Sequence, residues 1–323
     1  STTGFSADNS AGGTGSVGFP YVFKDEDVIV VRYTVTNFSS TSSLSPQVRG
    51  VNAINSVTGK TNSGTAFTAN GTYTDTLTAT ADGTHLMYAD GNTGSYTISD
   101  FEIVSHSSSG FVSKWYDQSV SDQAGAATGN HAVQGTAANQ PKIVSAGALV
   151  TEGSLPTIEF DSVDDYLDST SNISSPLWSF ITHKATKDNS AVFATKAGDR
   201  WIGRRSNGTF LQVLTSVVSG GSYPSSAVIR TDEVNGSDSK IFSNGTSIAT
   251  GDSGSAQSSF GRIGAQGQLS STKFLGGNIQ ELIVYTSDQT DNRTAIEANT
   301  GGHYNIDLPS GVDPGFDQVD GFV

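Results

Sequence analysis

The chain has 323 residues, 37 of them glycine, no cysteine and a formal net charge of −14. Without cysteine it can form no disulfide, no thiolate zinc site and no cysteine nucleophile. The negative charge, which no cluster of Lys or Arg offsets, argues against binding to nucleic acid, and the lack of a run of about 18 apolar residues argues against membrane insertion.

The composition predicts an all-β protein. Val, Ile, Tyr and Phe dominate an apolar fraction of 35%, and these residue types suit short, half-buried strands. We expect two antiparallel β-sandwich domains of the jelly-roll kind, because the length allows two domains. Residues 1–104 are predicted to form the first domain, 105–110 a small, polar linker, 111–309 the second domain and 310–323 a C-terminal tail.

Alternating side chains predict the strands of the first domain. Residues 29–36 place Ile29, Val31 and neighbouring apolar side chains on one face and more polar ones on the other. Asn70-Gly71 supplies the positive backbone angles of a tight hairpin turn, and residues 72–78 then alternate again. The pattern resembles the small jelly rolls of carbohydrate-binding modules.

The second domain begins with a series of short motifs. They are Trp115-Tyr116-Asp117-Gln118-Ser119, Asn130-His131-Ala132, Ala138-Asn139-Gln140-Pro141-Lys142-Ile143-Val144, and Phe160-Asp161 with Asp164-Asp165-Tyr166-Leu167. This series resembles the opening strands of the concanavalin-A-like, laminin-G-like jelly rolls of phage structural proteins and secreted bacterial carbohydrate-binding proteins. The resemblance implies a surface-recognition module.

Later blocks fit the same resemblance. Residues 240–249 look like the family's hairpin around Asn244-Gly245, and residues 276–285 look like its last core strand. A short helix is expected after that strand, with Thr290 or Asp291 as its N-cap and Gly301 at its end.

Two groups of residues have both a structural and a functional interpretation. Trp115 and Tyr116 are adjacent on a strand, so one points to the core and the other outward. The tryptophan is either a core residue or a sugar-stacking surface. Asp161, Asp164 and Asp165 crowd three carboxylates into five residues, which predicts either turn caps or a calcium site.

Aromatic residues among polar groups are the candidates for carbohydrate binding. We predict Trp201, Arg204 and Tyr223 as sugar-binding residues, with an ordinary buried strand at Trp201-Ile202-Gly203 as the alternative. No catalytic residue is predicted, and the protein is expected not to be an enzyme. Glu159-Phe160-Asp161 has a passing likeness to concanavalin-like glucanases, but a matched acid/base pair is not recognisable.

These features predict a structural or adhesion protein at an extracellular or virion surface, of the phage tail-fibre or appendage type. Its partners would be surface glycans or neighbouring subunits, in a homo-oligomer or a larger assembly, and calcium is the one cofactor that the sequence suggests. Two alternatives remain open. One is a fibre subunit that binds no sugar and assembles through exposed strand edges, and the other is a polysaccharide-active glycoside hydrolase.

Overall fold

Antiparallel strands make up most of the computed structural model, which describes residues 3–8, 15–23, 27–40, 47–50, 63–78, 83–90, 94–119, 129–254, 259–269 and 272–309. The prediction of an all-β sandwich architecture is confirmed. The chain divides into two compact units. Unit 1 comprises Ser1–Gly110 and Val144–Ala148, and unit 2 comprises Phe111–Ile143 and Leu149–Val323. The predicted tail, 310–323, lies outside the described residues.

Unit 1 contains two four-stranded sheets, with the strand orders β1-β8-β3-β6 and β2-β7-β4-β5. The strands are β1 (Thr3–Asp8), β2 (Gly15–Phe23), β3 (Val28–Ser40), β4 (Gln47–Gly50), β5 (Ser63–Ala66), β6 (Gly71–Thr78), β7 (Gly83–Asp90) and β8 (Gly94–Ser107).

The alternation predicted for residues 29–36 is confirmed in β3. Ile29, Val31, Tyr33 and Val35 are buried in the core of unit 1. The Tyr33 hydroxyl donates a hydrogen bond to Asp75 Oδ2 at 2.8 Å. Burial raises the pKa of Tyr33 well above its ordinary value, so this phenol stays a donor.

The hairpin predicted at Asn70-Gly71 is wrong. Strand β5 pairs with β4, whereas β6 pairs with β3, so the chain crosses from one sheet to the other here. Asn70 Oδ1 accepts a hydrogen bond from the Phe38 N–H at 2.8 Å. The asparagine therefore pairs with a distant segment instead of closing a local turn.

The segment predicted as a linker begins inside unit 1. Strand β8 continues through Ser107. The buried Asp27 carboxylate lies 2.8 Å from His106 Nε2 and accepts the Ser109 N–H at 3.3 Å. These contacts attach residues 106–109 to unit 1.

Two larger sheets form unit 2. The eight-stranded sheet has the order β10-β11-β17-β26-β19-β20-β21-β22, and the nine-stranded sheet has the order β13-β12-β16-β27-β18-β23-β24-β25, with β9 beside β12. Strands of the first are β10 (Lys114–Trp115), β11 (Ala132–Val133), β17 (Leu167–Ser174), β19 (Ser190–Thr195), β20 (Trp201–Arg204), β21 (Thr209–Val213), β22 (Val217–Ser222) and β26 (Ser259–Ile263). Strands of the second are β9 (Gly110–Phe111), β12 (Lys142–Ser145), β13 (Ala148–Leu149), β16 (Ile158–Asp161), β18 (Leu177–Ala185), β23 (Val228–Val234), β24 (Ser239–Ser243), β25 (Thr246–Gly251) and β27 (Gly276–Tyr285).

Shorter elements complete unit 2. They are the hairpin of β14 (Thr151–Glu152) with β15 (Leu155–Pro156), the 3-10 helices Ala137–Asn139 and Gly236–Asp238, and the helix α1 (Arg293–Tyr304).

The core of unit 2 lies between the two sheets. Phe193, Phe210 and Phe260 from the eight-stranded sheet pack in one cluster with Ile181 and Ile279 from the nine-stranded sheet. At one margin of the sandwich, β22 contacts β24 and β25.

A buried ion pair links the sheets through hydrogen bonds. Arg230 on β23 is fully buried and contacts both carboxylate oxygens of Asp232, at 2.6 and 2.8 Å. The same guanidinium donates to the Gly203 and Leu211 carbonyls of the opposite sheet, each at 2.7 Å.

The predicted hairpin at Asn244-Gly245 is confirmed, whereas the helix ends differ from expectation. Asn244 and Gly245 have φ values of 47° and 80° and join β24 to β25. The N-cap of α1 is Asn292 rather than Thr290 or Asp291, and the C-cap is Asn305, in the left-handed region at φ 53°. Gly301 lies inside the helix.

Candidate functional site

The predicted sugar-binding residue Trp201 is buried. Its side chain is 4% exposed and packs with Ala191, Ala194 and Leu211. Lys273 Nζ lies 5.2 Å from the centre of the ring. The ordinary-strand interpretation therefore describes this residue, and its ring presents no open face on which a sugar could stack.

Tyr223 is also buried and lies beside Arg204. The tyrosine is 8% exposed, stacks on Phe210 with 4.1 Å between ring centres, and shares a short hydrogen bond with His183 Nε2. Arg204 pairs with Asp188 at 2.5 Å, and its guanidinium lies 5.6 Å from the Tyr223 ring. The two residues contact each other, but the Tyr223 ring belongs to the interior, and the partly buried Arg204 is engaged by Asp188.

The three aspartates predicted as calcium ligands do lie together. One carboxylate oxygen from each of Asp161, Asp164 and Asp165 lies within 4.8 Å of the others, which is about the separation of two ligands on opposite sides of a bound calcium ion. The turn-capping interpretation also applies, because Asp161 Oδ1 accepts the Val163 N–H at 2.7 Å and Asp165 Oδ2 accepts the Asp161 N–H at 2.9 Å. The arrangement fits calcium if further oxygen ligands join.

The aspartate cluster carries electrostatic strain that a cation would relieve. Burial raises the pKa of Asp165 to about 7, and the neighbouring Asp161 and Asp164 carboxylates act in the same direction. Burial, together with Asp161, also raises the pKa of Asp164. A bound cation favours the ionised forms of all three groups.

Trp115 ends β10, the edge strand of the eight-stranded sheet, and Tyr116 follows directly after it in a different environment. Trp115 packs against the core between the sheets, whereas Tyr116 is 53% exposed. The His131 ring contacts Tyr116 edge-on, with 5.3 Å between ring centres, and Lys114 Nζ lies 4.5 Å from its centroid. These contacts fix the orientation of an exposed aromatic ring.

Hydrogen bonds of Asp117 connect the motif at residues 115–119 to the motif at residues 130–132. Its Oδ1 accepts the N–H and the hydroxyl of Ser119 at 2.9 and 2.7 Å, and its Oδ2 accepts the Asn130 N–H at 2.9 Å. The Asp117 N–H in turn donates to His131 Nδ1 at 3.0 Å. The hydrogen bond from the Ser119 hydroxyl, with the other donors, lowers the pKa of Asp117, so a fixed negative charge stands here.

A crevice lies between residues 115–119, which include the end of β10, and the last part of β27. Strand β16 pairs with β27 only over residues 276–279, and residues 281–285 pair with β18 alone among the described strands. The crevice has a volume of about 410 Å³, and a second cavity of about 400 Å³ shares Trp115 and Gln280 with it. Its polar and aromatic lining residues include Tyr116, Asp117, Gln118, Asn130, Glu281, Tyr285 and Tyr304, and its apolar lining includes Phe193, Ile263, Leu282 and Val284.

Glu281, the second carboxyl group that lines the crevice, has its pKa shifted in the opposite direction from that of Asp117. Burial raises the pKa of Glu281, although His303 acts in the opposite direction. Burial and the neighbouring Glu281 raise the pKa of Tyr304 to about 12. The Tyr304 hydroxyl therefore stays protonated, and its one described hydrogen bond, to the Gln280 carbonyl, is long at 3.5 Å.

Only the residues that line the crevice around Trp115 belong to a motif that the sequence reveals. The motif around Trp115 drew attention to Tyr116 and Asp117, whereas Glu281, Tyr285 and Tyr304 were not candidates. Those three come from a strand and a helix far along the chain, and no spacing in the sequence connects them with residue 116.

Comparison with known proteins does not identify a relative: no family model, curated protein or solved structure matches the chain. The resemblance to laminin-G-like domains thus depends on the quoted sequence blocks. Among the described residues, no helix has the length and apolar character needed to cross a bilayer.

Proposed function

We propose that this protein is a glycan-binding adhesion protein of an extracellular or virion surface, and that the crevice of unit 2 is its binding site. The observation that carries the proposal is the lining of one crevice by Tyr116, Tyr285 and Tyr304, all of them at least partly exposed. A tyrosine offers an apolar ring face beside a hydroxyl group. Sugars have the matching features, C–H faces and hydroxyl groups.

The remaining walls of the crevice support the same ligand class. Gln118 and Asn130 add amide groups, and the apolar floor lies between the sheets. A volume of about 410 Å³ lies within the range of about 300–1,000 Å³ that is typical of small-ligand sites. An oligosaccharide end of a few rings is the ligand size that we expect.

We propose binding without hydrolysis. A glycosidase needs two carboxyl groups placed across the scissile bond, one of them acting as the acid. Asp117 and Glu281 both line the crevice, but Asp117 accepts three hydrogen bonds that fix the local turn. We expect mass spectrometry to detect no shortened product after long incubation with a bound oligosaccharide.

Calorimetric titration after a glycan-array screen tests the proposal. Tyr116→Ala is expected to weaken binding of the best array ligand about five- to tenfold, since an aromatic contact contributes about 1 kcal/mol. Val217→Ala is the matched control, because Val217 is 52% exposed on β22 and does not line the crevice. An array without any bound glycan, or equal affinity for both variants, would overturn the proposal.

A second candidate, a fibre subunit that binds no sugar, is favoured by the open edge of β27. Residues 281–285 carry backbone groups on the side away from β18 that no described strand pairs with. Such an edge can accept a strand from a neighbouring subunit. Electron microscopy and mass measurement of the concentrated protein decide between the two: filaments without glycan binding support the subunit role, and a sugar-binding monomer excludes it.

A further inference from the structure

The charged groups of the crevice specify which glycans it can accept. We infer that the crevice selects neutral and amine-bearing glycans and rejects glycans that carry carboxylate or sulfate groups. This inference rests on the proposed glycan-binding function and adds a ligand class to it. The described lining contains two carboxyl groups, Asp117 and Glu281, and no Lys, Arg or His.

Asp117 supplies a permanent negative charge at the crevice. Its oxygens accept hydrogen bonds from Ser119 and Asn130, which are backbone and hydroxyl donors without charge. Three uncharged donors stabilise the carboxylate without neutralising it. A ligand carboxylate near this position meets like-charge repulsion, whereas an ammonium group meets attraction.

Glu281, on β27, also disfavours a ligand carboxylate and favours a ligand ammonium group. It is half-buried and has no described ion-pair partner. The basic groups around the crevice are His303, which acts to lower the pKa of Glu281, His131, which acts to lower the pKa of Asp117, and Lys114. Lys114 lies over the Tyr116 ring and does not line the crevice. Burial already disfavours the charge on Glu281, so a second anion beside it adds to an existing cost, and a ligand ammonium removes that cost.

Uncharged groups explain why neutral glycans remain acceptable. The side of β27 away from β18 presents backbone N–H and C=O groups over residues 281–285, and the Tyr304 hydroxyl makes one long described hydrogen bond, to the Gln280 carbonyl at 3.5 Å. Hydroxyl groups of a sugar can both donate to and accept from such partners. Hydrogen bonding thus binds the ring, and the carboxyl groups discriminate by charge.

The experiment compares three charge classes on one array at low and high salt. The probes are neutral, amino and carboxylated or sulfated oligosaccharides, including the β-1,4-linked tetrasaccharides of glucose, glucosamine and glucuronic acid. We expect anionic members to bind about tenfold more weakly than their neutral counterparts at low salt, and the difference to shrink at high salt, where charges are screened.

A charge-removing variant identifies the group responsible. Glu281→Gln is expected to raise the ratio of anionic-glycan affinity to neutral-glycan affinity and to lower the ratio of amino-glycan affinity to neutral-glycan affinity, because it removes the carboxylate from the crevice. Glu102→Gln, on the surface of unit 1, is the control and should change none of the three. Equal binding of neutral and anionic glycans by the parent protein overturns the charge inference alone. Absence of binding in every class overturns both this inference and the glycan-binding function.

Discussion

Asp165 is a carboxylic acid that folding makes difficult to ionise. Its pKa rises to about 7 because of burial, whereas an unfolded aspartate titrates near 3.9. Between about pH 4 and pH 7 the folded state therefore binds one more proton than the unfolded state. The contribution of this group to stability is greatest below about pH 4 and is lost as the pH rises towards 7.

Asp165→Asn tests this linkage. The amide oxygen can still accept the Asp161 N–H, and the variant carries no charge. We expect it to be more stable than the parent at pH 8, by on the order of 3 kcal/mol, and of similar stability near pH 4. Urea unfolding at both pH values measures the difference. Asp291→Asn, at an exposed aspartate outside the cluster, is the control, and a pH-independent difference would contradict the expectation.

A calcium ion bound at the cluster would favour the ionised form of Asp165 and so lower its pKa in the folded state. We propose that the ion binds at Asp161, Asp164 and Asp165 and stabilises the folded state by mass action. At pH 8, added calcium should then raise the unfolding midpoint of the parent more than that of Asp165→Asn. An unchanged midpoint of the parent with calcium or with chelator would exclude a calcium site here.

The sequence revealed the aspartate cluster but not the difference among its members. Three carboxylates within five residues are visible in one dimension, whereas the burial of Asp165 depends on which distant residues pack above it. For Trp201 and Tyr223, too, burial could not be predicted from neighbouring residues. Polar neighbours in sequence made them resemble surface residues, but tertiary packing places both rings in the interior.

The end of α1 contains two adjacent glycines with different surroundings. Gly301 lies where the chain turns back, and a Cβ built on it would lie 2.9 Å from the Ile306 carbonyl oxygen and 3.2 Å from Leu308. Gly302 is exposed, and a Cβ there meets nothing within 4 Å. The Ile306 N–H donates to the Gly301 carbonyl at 2.9 Å, which closes the helix.

Alanine at these two positions is expected to have opposite effects. Gly302→Ala should stabilise the protein by about 0.5–1 kcal/mol, because alanine favours the helix. Gly301→Ala gains the same propensity but forces the returning chain to shift, so we expect a net loss of about 1–2 kcal/mol. Thermal unfolding of both variants measures the contrast. Stabilisation by Gly301→Ala would show that the residues after the helix move easily.

Alternation and turn chemistry predicted individual strands and one hairpin, but not which strands pair with each other. The alternation in β3 and the Asn244-Gly245 turn depend on neighbouring residues only, and both predictions are confirmed. Asn70-Gly71 has the same turn chemistry but joins strands of different sheets. The Asn70 side chain there accepts a hydrogen bond from the Phe38 N–H, which is distant in sequence and part of no local pattern.

Unit 1 includes a short segment from much later in the chain. Val144–Ala148 belongs to it, and the Gly147 N–H donates to the Ser108 carbonyl at 3.0 Å. Gly147 has a φ of 82°, and a Cβ built on it would lie 3.1 Å from the Ser107 Cβ. We expect Gly147→Ala in the full chain to lose about 1–2 kcal/mol of stability, because alanine is strained at a positive φ. Thermal unfolding measures this with Gly135→Ala, where a Cβ meets nothing within 4 Å, as the control, and equal midpoints for the two variants would contradict it.

At the scale of the whole molecule, composition and alternation sufficed for the fold class, whereas the candidate site required the three-dimensional arrangement. Tyr116 and Tyr285 lie far apart in sequence and line one crevice, to which Tyr304 of α1 also contributes. A site built from strand edges has no sequence motif of its own. The functional proposals accordingly depend on the geometry of that crevice.

The position of β27 determines when its sheet can close during synthesis of the chain. This strand lies between β16 and β18 in the middle of its sheet, and β26 lies between β17 and β19 in the other, yet both are among the last strands in the described chain. A ribosome therefore releases the outer parts of each sheet well before their centres. Until residues 259–285 emerge, β16 and β18 have unsatisfied edges, so the nascent chain depends on slow, long-range closure and is exposed to aggregation.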